Sequence, residues 1–341
     1  MVFPRAACGV RALASSIIFA GGISLGMSNG QAAESDFPKQ PVTIIVPFAA
    51  GGSLDATARA IATKLPGLLG QPVLVVNRPG AGSEVGDSFV AQAKPDGYTL
   101  LIASGSTLGF LHLTQPDFKY RLKDFAVLDG VAINDSLFAV NSSVPAKTLS
   151  DLVKLAHDKP GGLSFCTTGV GGLNQLQLEM FKGLVKTKTG TTLNVTEVPY
   201  NGVTPALLAL RAGQVQVCTL PYSSVVRNFE GKGIHVIAVQ RPTRMKAMPH
   251  VETTGEQGYP EMDDNGQLVT LLAPAGTPAE VIAKLESALR ATMKAPAVIK
   301  KLNDLDVQPT FVDSSNATKW FEENVAKYSA LIKSAGLDKR Q

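Results

Sequence analysis

Histidine, cysteine and tryptophan are scarce: the 341 residues contain four, three and one of them. His112, His157, His235 and His250 stand at no metal-ligand spacing from one another or from the cysteines, so neither a metal site nor a cofactor is expected. Cys8 precedes the first apolar run, which leaves Cys166 and Cys218 at the carboxyl ends of predicted strands. There they either pair in an oxidising compartment or stay as two buried thiols. Charge is also sparse, at 18% of residues and a formal net +4, and it is scattered along the chain. That distribution argues against nucleic acid and against an anionic membrane surface. There is no Walker motif, zinc motif or calcium loop. Beyond the amino-terminal segment no apolar run is long enough to cross a bilayer.

The amino terminus itself carries Arg5 and Arg11, an apolar small-residue run from Ala12 to Met27, and then Asn29-Gly30-Gln31-Ala32-Ala33. This pattern predicts a secretory signal peptide over 1–33 and a mature chain exported to the periplasm. Ser15, Ser16, Gly21, Gly22 and Ser24 interrupt the run and make it a poor permanent span.

Glycine is abundant, at 32 residues, and much of it falls where a strand turns into a helix. Val42 to Val46 is short, β-branched and apolar on both faces, as a buried parallel strand should be. Leu54, Ala58, Ile61, Ala62, Leu65 and Leu69 then recur at helical spacing, with Ser53 or Asp55 placed to cap the first turn. Between strand and helix lies Pro47-Phe48-Ala49-Ala50-Gly51-Gly52. Two readings stay open: a tight turn only, or free backbone N–H groups and a helix dipole that hold an anion.

A second strand, Val73 to Val76, leads through Asn77-Arg78-Pro79-Gly80-Ala81-Gly82 to a helix over 84–93. A third, Tyr98 to Ala103, ends in Ser104-Gly105-Ser106-Thr107. This β-α-β-α-β order implies parallel strands whose ends share one edge of a sheet, where ligands of open parallel sheets bind. Ser104, Ser106 and Thr107 join the candidate set on that ground. A strand-like Leu137 to Val140 opens a second series, whose turns are Thr167 to Gly172 and Pro199 to Pro205. The last third carries a strand over 268–273, an amphipathic helix over 279–293, a strand over 307–311 and a terminal helix with Trp320 in its apolar stripe.

Catalytic signatures are weak. Gly169-Val170-Gly171-Gly172-Leu173-Asn174 has Asn174 where a dinucleotide fingerprint needs its third glycine. Gly105-Ser106-Thr107-Leu108-Gly109 has threonine where a hydrolase elbow has serine. An exported hydrolase using Thr107 is the enzymatic alternative, and no enzyme is the expectation. Hydroxyl, amide and backbone donors at strand ends suit reversible capture of a small anion better than acid–base chemistry.

Several spaced motifs together resemble the Bug, or TctC-like, family of periplasmic solute-binding proteins. They are Pro41-Val42 through Asp55 with Ala58-Arg59, Gly70-Gln71-Pro72 through Gly82, Pro95-Asp96-Gly97-Tyr98-Thr99-Leu100, Val198-Pro199-Tyr200-Asn201-Gly202 with Gly213-Gln214-Val215, and Ala273 through Pro278. The resemblance implies an α/β fold of two lobes, type II-like, each a mainly parallel sheet flanked by helices, joined by two hinge strands. Lobe one would be 34–136 and 262–341, lobe two 137–261. It implies a small carboxylate ligand, di- or tricarboxylic, aromatic or amino acid, held in the inter-lobe cleft. The implied holders are Phe48, Ala50, Gly51, Gly52, Ser53 and Asp55, facing Thr167, Thr168, Gly169, Gly171 and Gly172 with Tyr200, Asn201, Gly202 and Thr204. Asp55 would either line the pocket or offset the helix dipole as a cap. The implied partners are membrane permease subunits of a tripartite tricarboxylate-type transporter, or a sensor kinase, with the receptor itself a monomer. Three departures bear on the ligand or the fold's detail: no Asn-Pro pair after Ser104, Glu252 in place of proline, and Asp264-Asn265-Gly266 where a tryptophan usually stands.

Overall fold

The structure, a computed structural model, describes residues 36–105, 120–168, 173–200, 202–226, 231–263 and 267–335. β1 (Val42–Val46) leads to α1 (Ser53–Ala62), α2 (Leu65–Leu69), β2 (Val73–Asn77), α3 (Glu84–Ala91) and β3 (Thr99–Ser104). The expected single helix to Leu69 is two, because Pro66 has no N–H to give and crowds the turn before it. Gly70, at φ 75°, closes the second helix in the left-handed conformation. Two strands follow almost without a break, β4 (Phe125–Asn134) and β5 (Ser136–Asn141). The apolar stretch before Leu137 is thus a ten-residue strand, which its continuous hydrophobicity did not delimit.

The chain continues through α4 (Leu149–Asp158), β6 (Ser164–Thr167), α5 (Leu173–Thr189), β7 (Thr196–Pro199) and α6 (Val203–Arg211). Then come β8 (Val217–Pro221), α7 (Tyr222–Val226), β9 (Ile234–Gln240), β10 (Gln267–Pro274) and α8 (Ala279–Met293). The carboxyl end is α9 (Pro296–Asp304), β11 (Gln308–Val312) and α10 (Ser314–Ala335).

Among the described residues the strands form a six-stranded sheet, β11-β4-β10-β3-β1-β2, and a five-stranded sheet, β7-β6-β8-β5-β9. The expectation of mainly parallel sheets holds for the β-α-β cores, where β1 pairs in parallel with β2 and β3, and β6 with β7 and β8. It gives way where the chain changes sheet. β10 runs antiparallel to β3 and β4, and β5 antiparallel to β8 and β9, so both sheets are mixed.

Each sheet is covered on both faces. In the first, Ile44, Val46, Ile61, Leu100, Leu271 and Leu285 pack under α1, α2, α8 and α9, while Ile45, Leu101, Leu272 and Phe321 pack under α3 and α10. In the second, Phe138, Phe165, Phe181 and Tyr259 make edge-to-face ring contacts under α4 and α5. Cys166 and Cys218, directly opposite on β6 and β8, are fully buried and form a disulfide.

Beneath α3, Asp87 is fully buried and accepts hydrogen bonds from Ser83 Oγ at 2.7 Å and from the Tyr120 hydroxyl. Its other carboxylate oxygen has no partner among the described residues. Burial pushes Asp87 up to about 7, against the two hydroxyl donors.

Two outcomes follow. Removing the disulfide, which spans a sequence separation of 52, with Cys166→Ser and Cys218→Ser should cost about 3–4 kcal/mol by loop entropy, read as a lower urea midpoint. Asp87 keeps in the fold a proton that the open chain releases near its ordinary value. Its stabilising contribution is therefore complete below pH about 4 and lost as pH rises through about 7. Asp87→Asn should flatten that part of the profile of thermal midpoint against pH, and an unchanged profile would refute the assignment.

Candidate functional site

The topology brings to one place the carboxyl edges of both sheets, the edges from which the glycine-rich segments leave. In the first sheet β1, β2, β3 and β4 all run the same way, so Val46, Asn77, Ser104 and Asn134 end at one edge. In the second, β6, β7 and β8 end at the edge where β5 begins, with Ser136 opposite Pro221 and Gln240. Only Asp135 separates Asn134 from Ser136. The carboxyl edges of the two sheets therefore meet at this crossing. A second crossing runs from Gln240 to Gln267, and Gln267 pairs with Asn134. Arg241 Nη1 sits 3.2 Å from Asp135 Oδ2 and ties the two crossings together. Burial raises the Asp135 carboxyl, and the Arg241 charge opposes that rise.

On the first sheet, Gly51 occupies the left-handed region at φ 86°, and Gly52 is the N-cap of α1, with no side-chain cap. Ser53 is therefore the first helical residue and does not cap; its hydroxyl accepts from Asn134 Nδ2 at 3.0 Å. Asp55 does not line open space. Its side chain is about 5% exposed, and its oxygens accept from Gly51 N at 3.0 Å, Arg59 Nε at 3.0 and 3.1 Å, and Asn77 Nδ2 at 2.9 Å. Asn77 Nδ2 also donates to Phe48 O at 3.1 Å. Burial pulls the Asp55 carboxyl upward, but Arg59, Gly51 and Asn77 together hold it below its ordinary value. The acid is a brace under the turn. Phe48 is half-buried, and Ala50 and Gly51 are exposed.

On the second sheet Thr167 is fully buried; its hydroxyl bonds Glu197 at 3.1 Å and its carbonyl accepts from Tyr200 N at 2.8 Å. Thr168 donates to Asn174 Oδ1 at 2.5 Å, and Asn174 reaches the Thr219 carbonyl. Glu197 also accepts from Gln175 Nε2 at 2.8 Å. Gly202, at φ 112°, is the N-cap of α6, again with no side-chain cap, next to exposed Thr204. Ser104 is buried at the end of β3. Ser106, Thr107, Gly169, Gly171, Gly172 and Asn201 lie outside the described residues, and the hydrolase elbow at Thr107 falls there too.

Sequence reasoning missed Asn77, Asn134, Asn174 and Glu197 as the residues that hold the turns from below. Asn77 lies within one of the family motifs and Asn174 closes the Gly169–Asn174 segment, six residues from Thr168; Asn134 and Glu197 have no local signal, because their partners are distant in sequence. The apolar stripe of the terminal helix places Trp320 in the core, yet the residue is only partly buried. It is stacked edge-on against Phe321 and lies over Gly105, where a Cβ would collide with the indole.

Residues 57–337 match the model of the Tripartite tricarboxylate transporter family receptor. The chain is 30% identical over 317 residues to a UPF0065 protein of Bordetella pertussis, covering 92% of this chain and 95% of that protein. Among solved structures it is similar to "R. palustris Rpa4515 with adipate", at 28% identity and TM-score 0.79, covering 88% of this chain and 99% of the other. It is likewise similar to MatC (Rpa3494) from Rhodopseudomonas palustris with bound malate, at 27% identity and TM-score 0.77, covering 87% and 100%. The periplasmic binding protein BugD gives 26% identity and TM-score 0.76, covering 88% and 99%.

The brace predicts its own test. Asp55→Asn keeps the size but removes the charge that Arg59 and the Gly51 N–H depend on, so it should destabilise the fold by about 2 kcal/mol, read by urea unfolding. A loss below about 0.5 kcal/mol would mean that the turn is held by something else.

Proposed function

The chain belongs to the tripartite tricarboxylate transporter receptor family, and on that premise we propose that it is a periplasmic receptor. In this reading it captures a small carboxylate between its two lobes and delivers it to membrane permease subunits. Its family is one of solute-binding receptors, and structural relatives carry adipate and malate. Residues 34–136 with 262–341 serve as one lobe and 137–261 as the other. Residues 1–33 act as the export signal. Among the described residues no helix is long and apolar enough to cross a membrane.

The observation that carries the proposal is the pair of glycine N-caps. α1 and α6 begin at Gly52 and Gly202 without a capping side chain, at carboxyl edges that meet at the Asp135 crossing. Such helix starts present N–H donors and the positive end of the helix dipole to an anion. Three or four charge-assisted hydrogen bonds supply about 5–12 kcal/mol gross, and micromolar affinity needs about 8 kcal/mol. The mechanism is capture without acid–base chemistry. Asp55 and Asn77 hold the first turn in shape, Asn174 and Glu197 hold the second, and closure of the lobes brings both sets of donors onto the carboxylate.

A Cβ at Gly52 meets only Ala49 O, at 3.7 Å, and the backbone there lies in an ordinary region at φ −75°. Gly52→Val should therefore fold, with only the roughly 1 kcal/mol loss of an apolar N-cap, while its side chain obstructs the donors. In a thermal-shift panel of adipate, malate, citrate, benzoate and amino acids, the right ligand should raise the wild-type midpoint with the logarithm of its concentration. The variant should lose that response. A full response in the variant would overturn the role of the turn, and no response from any carboxylate in the wild type would overturn the receptor reading.

A further inference from the structure

A separate compartment lies at the crossing, and none of its described lining residues belongs to a glycine-rich turn. It is a cavity of about 450 Å³ between outer strand β11 of the first sheet, the end of β9 in the second, and α10. Gln240 lines it, is 0% exposed, and has neither amide atom partnered among the described residues. Arg241 lines it as well; one guanidinium nitrogen is spent on Asp135, while its buried Nε has no partner among the described residues. Trp320 supplies an aromatic wall, its ring set edge-on to Phe321. Ile133 and Leu268, paired in register across β4 and β10, supply an apolar one.

The chemistry of this lining narrows what fits. A buried primary amide with both its donor and its acceptor unmet is matched by another amide, which returns one of each in a planar pair. Among the described residues the charged groups on the lining are Asp135, Asp263, Glu323, Arg241 and Lys319, so carboxylates outnumber cations and their field does not favour an anion. Lys319 is already turned to Glu323 at 3.7 Å. The indole favours a flat aromatic body against it.

We propose that this cavity is a second ligand site, for a small neutral aromatic carboxamide. The amide pairs with Gln240, its carbonyl also accepts from Arg241 Nε, and the ring lies against Trp320. The assignment stands apart from the carboxylate reading, because it shares no described residue with the glycine-rich turns.

Benzamide is the probe, titrated into the full chain by calorimetry and followed by ligand-observed NMR. Benzamide should bind, Gln240→Leu should weaken it at least about tenfold through the lost amide pair, and Trp320→Leu should weaken it comparably. Gln240→Met, which keeps the side-chain length but offers neither an N–H donor nor a carbonyl acceptor, serves if the leucine variant does not fold, and should weaken binding likewise. Any response to benzoate should be the same in wild type and Gln240→Leu. The proposal is overturned if benzamide does not bind at millimolar concentration, if its affinity is indifferent to all three substitutions, or if a crystal soaked in it shows only water beside Gln240.

Discussion

A single residue between two strands sets the geometry of everything else. β4 ends at Asn134 and β5 begins at Ser136, so the chain leaves one sheet and enters the other with only Asp135 to turn in. Because β4 runs with β1 and β3, and β5 runs against β8, this short crossing forces the carboxyl edges of both sheets toward one another. Loops at those edges are where parallel sheets bind ligands. A longer linker would have left the two sets of turns free to face anywhere. The crossing also brings charge into a buried place, since Asp135 is 7% exposed. An isolated carboxylate there would be costly, and the neighbouring crossing meets the cost with Arg241.

The same logic explains an acid beneath a turn read as an anion site. Asp55 repels an anion in isolation, yet among the described residues it is the carboxylate that locks Gly51, Arg59 and Asn77 into one network. Arg59 neutralises it at 3.0 Å, so the net field at the turn is that of the helix start. The bond from Gly51 N–H consumes one donor of the turn, so on the proposed reading the donors for a ligand lie after it, from Gly52 onward. Rigidity is obtained at the expense of one hydrogen bond. That exchange favours affinity when the remaining donors no longer have to be ordered on binding.

Much of this was legible in the sequence, and the illegible part has a physical pattern. β1 follows from a short β-branched run apolar on both faces and α8 from helical periodicity, and the strand-to-helix turns follow from glycine placed between such a run and a helical stripe. Pairing direction was legible for strands joined by a helix and not for β5 and β10, because an antiparallel return has no local mark. The pairing of Cys166 with Cys218 needed the register of β6 against β8 to decide it. At the site, the turns themselves were readable, while Asn134 under Ser53 and Glu197 under Thr167 were not. Those bonds span sequence separations of 81 and 30, so neither partner announces the other.

The two jaws are braced by different means, and the difference bears on how selectivity is divided. In the first sheet the brace is centred on an ion pair, Asp55 and Arg59 one helical turn apart, with Asn77 and Asn134 adding neutral bonds from neighbouring strands. In the second it combines neutral and singly charged links across strands, from Thr168 through Asn174 to the Thr219 carbonyl and from Thr167 and Gln175 to Glu197. The disulfide fixes the register of β6 and β8 immediately before Thr167 and Thr219, so this second network starts from strands that cannot slide. A jaw held by Asp55 and Arg59 has little freedom to change its residues without losing its shape. A jaw stapled from behind can exchange the hydroxyls and amides at its tip while its strands stay registered. On the proposed receptor reading, selectivity among carboxylates falls to the second jaw and the common carboxylate grip to the first.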